Sequence, residues 1–167
     1  LLLLTGFYPV KAQTGIWTEL NSRAAELYNK GEYDKAIPVA RQAILTAGNE
    51  FGYDHENYIT SSNLLANIFF EWGDFKNAEI LFGDVLNRKK KLYGELNDSY
   101  AETLLDLGIL YSEKTGQQEK AEKVFTPYAE IIRKLKGDKS GEYATALNTL
   151  GNVYTNLNDF KKAESFY

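Results

Sequence analysis

The chain has 167 residues, 44% of them hydrophobic and 25% charged, with three Pro; that leaves room for one domain or a short repeat array, with a composition able to bury a core. Nineteen Lys and Arg against 23 Asp and Glu give a net charge of -4, so no global attraction to nucleic acid or to an anionic membrane is available. The absence of Cys excludes disulfides and thiolate metal sites, and a single His excludes His-rich zinc sites and most hydrolytic triads.

Met is absent even at position 1, which implies residues upstream. Residues 1–12 read as the tail of a secretory signal peptide: an apolar run, the Pro9 break, then Val10 and Ala12 at the small positions before a cleavage point. The apolar run from Leu1 to Val10 is too short to span a bilayer, which needs about 20 residues, so no stable membrane insertion is expected. A frayed apolar N-terminus or an upstream anchor cut short is the alternative; on the signal-peptide reading residues 13–167 are exported to periplasm or exterior, and without it the chain is expected to be cytoplasmic. Helical periodicity predicts helices at 17–30, 33–47, 56–72, 75–93, 97–114, 118–135 and 141–157, and from 160 onward. Pro38 falls inside the second of these, where it either removes a hydrogen bond or lies close to the true start.

The helices repeat. Ala24, Ala66, Gly108 and Gly151 are spaced by 42, 42 and 43 residues, and Ala36, Ala78, Ala121 and Ala163 by 42, 43 and 42. The one-residue insertion in the third unit therefore lies between Gly108 and Ala121, where the expected place for it is the turn. Each unit is a helical hairpin. Gly31, Gly73, Gly116 and Asn158 stand where a left-handed residue ends the first helix, and Asp74 and Asp159 where a side chain caps the second. Small residues at the crossing points let helix axes approach, while Phe69, Tyr111 and Tyr154 fill the adjoining space.

Leu104-x2-Leu107-Gly108-x2-Tyr111 and Leu147-x2-Leu150-Gly151-x2-Tyr154, followed by Ala121-x3-Phe125 and Ala163-x3-Tyr167, resemble the tetratricopeptide repeat. The period of 42 and a joining phrase (Phe51-Gly52-Tyr53-Asp54-His55, Tyr93-Gly94-Glu95-Leu96, Lys136-Gly137-Asp138-Lys139) are similar to the longer repeats of kinesin light chains and of bacterial arrays. The resemblance implies an all-α, right-handed solenoid of antiparallel helix pairs, with three full repeats at about 17–58, 59–100 and 101–143 and an incomplete fourth at 144–167. An uncapped last helix implies that more array or another domain follows.

A protein or peptide partner is expected, with no cofactor, no metal and no catalytic residue of the chain's own. His55 lacks a catalytic partner and is expected to make a turn hydrogen bond. Arg88-Lys89-Lys90-Lys91 is expected to be a solvated helix end meeting the negative pole of the helix dipole. By resemblance the first helices line a concave face. Asn21, Asn63 and Asn148 share one register there, and Asn67 and Asn152 lie one turn on. Amides offer donor and acceptor to an extended backbone; the third unit substitutes Leu105 and Ile109, an apolar pocket, and Tyr28, Phe70 and Glu102 complete the surface. The alternative for the Asn registers is exposed polar surface with no partner. A rival role is that of a ligand-sensing or substrate-docking arm of a larger exported protease of the CHAT type, with its catalytic domain downstream; a third is homo-oligomer stacking through the open end.

Overall fold

A computed structural model describes the backbone of residues 10–167 and the side chains of residues 15–167. Among the described residues eight α-helices follow one another: α1 (Val10–Asn29), α2 (Tyr33–Phe51), α3 (Glu56–Trp72), α4 (Phe75–Tyr93), α5 (Asp98–Ile109), α6 (Gln118–Lys136), α7 (Gly141–Asn156) and α8 (Phe160–Glu164). The described residues contain no strand. Residues 1–9 of the signal-peptide reading lie outside the described residues; residues 10–12 belong to α1, which starts at Val10 where the expected start is Trp17.

The hairpin chemistry follows the sequence. Gly31, Gly73 and Gly116 have positive φ, and so does Asn158, the single non-glycine residue to do so among those described. Asn158 reaches φ 61 because its short polar side chain tolerates the left-handed region. Asp74 and Asp159 accept hydrogen bonds from the backbone N–H of Asn77 and Lys162, as caps. His55 does make its turn bond: its Nδ1 accepts from the Asn57 N–H at 3.1 Å, and its ring stacks on Phe51.

Three details depart from expectation and one decides between two alternatives. First, α2 runs on through Gly48 to Phe51 and ends at Gly52, whose φ is 96 and whose N–H donates to the Gly48 carbonyl; Gly48 makes room for the Tyr53 ring, which would lie 2.9 Å from a Cβ there, and does not end the helix. Second, Pro38 lies in the helix interior, well past the first residue of α2, and a further interior proline, Pro127, lies in α6. Third, the inserted residue of the third repeat is not housed in the turn. It is absorbed one step earlier, in a π-helical segment, Leu110–Lys114, that continues α5; the Thr115 N–H donates to the Leu110 carbonyl at 3.0 Å, one residue further back than in an α-helix. Fourth, Lys89 is buried, 5% exposed, so the basic run is not uniformly solvated.

The chain divides into two compact units, residues 1–72 and 73–167. In the first, α2 packs against both α1 and α3. Its buried face on α2 is built from Ala36, Ala40, Ala43 and Ala47 at helical spacing. In the second, α4, α5, α6, α7 and α8 pack each on the next. Its core is larger in side-chain size and includes Leu104, Phe125, Ile131, Ile132, Leu150 and Tyr154.

Candidate functional site

In the first unit the expected site residues lie on α1 and α3, and all are half-buried. Asn21 is tied into the scaffold: the Trp17 indole N–H donates to Ser61 Oγ at 2.9 Å, and Ser61 Oγ donates to Asn21 Oδ1 at 2.8 Å. That chain of bonds joins the two first-type helices. Tyr28 packs its ring 6.1 Å from that of Tyr33. Asn63, Asn67 and Phe70 share α3. Asn63 Oδ1 is buried and accepts no hydrogen bond among the described residues, a condition that costs roughly 1–3 kcal/mol for a buried acceptor.

In the second unit Glu102 is exposed on α5, whereas Leu105 and Ile109 are half-buried and packed against the core. Asn148 and Asn152 are exposed on α7. Asn152 borders an open groove of about 360 Å³ between the π-helical segment and α7. Thr149, Thr155 and Asn156 line it from α7, with the buried Val153, and Ser112 and Glu113 from the π-helical segment. Asn148, Leu105 and Ile109 do not line it. Asn152 Oδ1 also accepts from the Tyr167 hydroxyl at 2.9 Å.

Sequence reading mostly missed the groove residues, although a signal existed. Ser112 and Thr155 occupy the same repeat register as Tyr28 and Phe70, but hydroxyl side chains give no aromatic cue. Glu113 depends on the π-helical segment, whose extra residue alters the angular position of everything after Ile109.

Behind α5 lies a pair of opposite charges that sequence periodicity does not reveal. Lys89 on α4 sits at the register of Ala47 and Ile132, both core positions. Its stem fills that place, and its Nζ donates to the Ser99 carbonyl at 2.9 Å and to Thr103 Oγ1 at 2.8 Å. Burial lowers the Lys89 pKa, with Glu102 and Asp106 opposing. Burial raises the Asp106 carboxyl to about 6, with Lys89 holding it down and Glu102 pushing it up. The neighbouring cations are ordinary surface partners: Arg88 pairs with Asp84 at 2.7 Å and Lys90 with Glu95. Among the described residues no group of three or more His, Asp or Glu could hold a metal ion, and no helix is long and apolar enough to cross a membrane.

Two family models, both described as tetratricopeptide repeat, match residues 17–91 and residues 144–167. No curated protein matches the chain. Among solved structures, BtubC (BKLC) from P. vanneervenii is similar with a TM-score of 0.80 at 24% identity, over 90% of this chain and 59% of that one. Two structures of a Podosopora anserina protein of kinesin light chain type, with nearly identical TPR-like repeats, are similar with a TM-score of 0.76 at 16% identity, over 89% of this chain and 70% of theirs. This chain thus spans 59% of the length of BtubC. At these identities the likeness shows the fold, an all-helical solenoid of paired helices.

Proposed function

The chain belongs to the tetratricopeptide-repeat family, with repeats like those of kinesin light chains, and from that premise we propose that it captures an extended peptide segment of another protein along the first helices of its repeats. Such repeats serve in general as protein-interaction scaffolds, and the work of this one is binding, with no chemistry assigned to its own side chains. The observation that carries the reading is the open groove bordered by Asn152 between two successive first-type helices, large enough for one or two side chains and lined mostly by hydroxyl and amide groups.

The test is a selection from a random dodecapeptide library on the 167-residue chain. Selected peptides are then titrated against the chain and against a variant with Asn63, Asn67, Asn148 and Asn152 changed to Ala. Each lost backbone hydrogen bond contributes about 0.5–1.5 kcal/mol, so the fourfold variant should bind at least about tenfold more weakly with unchanged helicity by circular dichroism. Equal affinity would reduce the Asn registers to plain surface, and a library that yields no binder would remove the peptide reading.

A further inference from the structure

Within residues 73–167 the cations, though not the carboxylates, are sorted by helix type. The first-type helices α5 and α7 carry Asp98, Glu102, Asp106 and Glu142 and no Lys or Arg, while α4, α6 and α8 carry twelve Lys and Arg. Several of those cations are consumed locally, as in Lys120 with Glu79 at 2.9 Å and Lys136 with Asp98 at 2.7 Å. Lys114, at the end of the π-helical segment, does not line the groove. The groove between the π-helical segment and α7 has no Lys or Arg in its lining, and Glu113 at its edge is exposed, with no ion pair among the described residues. Its other polar walls are Ser112, Thr149, Thr155 and the amides of Asn152 and Asn156. Every one of these has an acceptor oxygen, and no cation stands among the lining residues. A guest carboxylate or phosphate would meet Glu113 and find only neutral donors. A guest ammonium or guanidinium would meet one counter-charge and a ring of acceptors.

We infer that this groove seats a lysine or arginine side chain of the bound peptide, with the Glu113 carboxylate as its counter-charge and the Asn and Thr oxygens as neutral acceptors. The assignment rests on the peptide-binding reading above and adds the partner's chemistry: a basic segment, carried past an acidic, base-free pair of helices. The π-helical segment is the device that creates the site, since it is this segment that brings Ser112 and Glu113 to the groove. Among the described residues no other repeat has such a segment, so the selectivity is local to one junction.

The test uses the whole 167-residue chain and three fluorescein-labelled nonapeptides with the same Gly-Ser frame and a central triplet of Lys, Gln or Glu, followed by anisotropy at low salt and at roughly 0.3 M NaCl. Charge-assisted hydrogen bonds contribute roughly twice as much as neutral ones, and a half-exposed pair is screened by salt. The Lys peptide is expected to bind about tenfold more tightly than the Gln peptide at low salt and to lose most of that advantage at high salt. Glu113→Gln should abolish the advantage of the Lys peptide over the Gln peptide, with helicity unchanged by circular dichroism. The inference is overturned if the Glu peptide binds as well as the Lys peptide, or if Glu113→Gln leaves the ratio intact. If Gln and Glu peptides bind and compete with the library-selected peptides, the scaffold reading survives and cation selectivity alone is lost. If no peptide of any composition binds, both fall together. Free N-acetyl-lysine methylamide serves as a further arm: competition by it at the same concentration as the peptide would overturn the peptide as the occupant in favour of a small amine.

Discussion

Single residues in this chain are chosen for the space they leave as much as for the contacts they make. At Gly108 on α5 an added Cβ would stand 2.3 Å from the Phe125 ring, which is buried at 1% exposure and has nowhere to go. Helix propensity alone favours Ala over Gly by about 1 kcal/mol, while overpacking a core costs about 1–3 kcal/mol. Gly108→Ala is therefore expected to lower the urea midpoint. Gly83, in the interior of α4, has nothing within 4 Å of the same virtual atom. Gly83→Ala should raise stability by about 0.5–1 kcal/mol, so two chemically identical changes in neighbouring helices give opposite signs, read by one denaturation series. Lys89 and Asp106 are a second case. An acid whose folded pKa is raised binds its proton first in the native state, so this carboxyl's contribution declines as pH rises from about 4 to about 6, and acidification over that range favours folding. Lys89→Met removes the cation that holds Asp106 down, and NMR titration of the Asp106 carboxyl should then give a value above its present one of about 6. Replacing both, Lys89→Ile with Asp106→Leu, installs the residues found at the same registers in other repeats, Ile132 and Leu64, and is expected to be neutral or stabilising by about 1–4 kcal/mol.

Between elements, one joint recurs. The Tyr111 hydroxyl on the π-helical segment donates to Glu79 Oε1 on α4 at 3.0 Å, and Lys120 on α6 donates to the same oxygen at 2.9 Å while lying 5.0 Å from the Tyr111 ring centroid. One repeat later Tyr154, Glu122 and Lys162 reproduce it, with the hydroxyl bond at 2.5 Å and the ammonium 4.7 Å from the ring. A carboxylate thus bonds a tyrosine and meets a lysine that come from two other helices, and fixes the register of three elements at once. In the first unit the equivalent ring is Phe69, which has no hydroxyl; Arg41 lies over it at 5.7 Å instead. Burial raises Tyr111 and Tyr154 each to about 12, with the glutamate bond adding to it. The hydrogen bond from Lys120 holds Glu79 below the ordinary carboxylate range. A depressed folded pKa contributes stability that is complete above the unfolded value and is lost as pH falls through the folded one. A Tyr111→Phe, Glu79→Gln double-mutant cycle should give a coupling of about 1 kcal/mol at neutral pH. The coupling should shrink below about pH 4, and a value independent of pH would mean that the carboxylate charge takes no part.

At the scale of the whole chain, the fold was legible because a repeat states its own geometry several times. The helix starts at 33, 56, 75, 118, 141 and 160 agree with expectation, as do both ends of α3 and α4, since left-handed Gly or Asn and capping Asp punctuate the hairpins. The groove was less legible because it depends on the Gly108-to-Ala121 insertion, whose π-helical resolution involves an i to i+5 bond that residue types do not encode. Lys89 was misread for a related reason: periodicity marks a core position only when it is filled by an apolar side chain, and a lysine stem can fill one while its ammonium is satisfied by Ser99 and Thr103. The same sequence detail predicts how stability is distributed. Repeat arrays hold together by nearest-neighbour contacts, so each unit's protection follows from what its own helices bury. On α2 the buried side chains are all alanines, whereas α6 buries Phe125, Tyr128, Ile131 and Ile132 in addition to its alanines. At about 25 cal/mol per Å² of apolar surface, a buried Ala contributes a small fraction of what a buried Phe or Ile does. Hydrogen exchange followed by mass spectrometry should therefore find the amides of α1 and α2 opening before those of α5 to α7, with α2 exchanging at least about tenfold faster than α6. Filling the α2 face reverses this only if the added volume fits: Ala43→Val should slow exchange in α2 where space allows, and speed it where the alanines are already close-packed, which makes the sign of that one change a direct reading of how tightly the first unit is built.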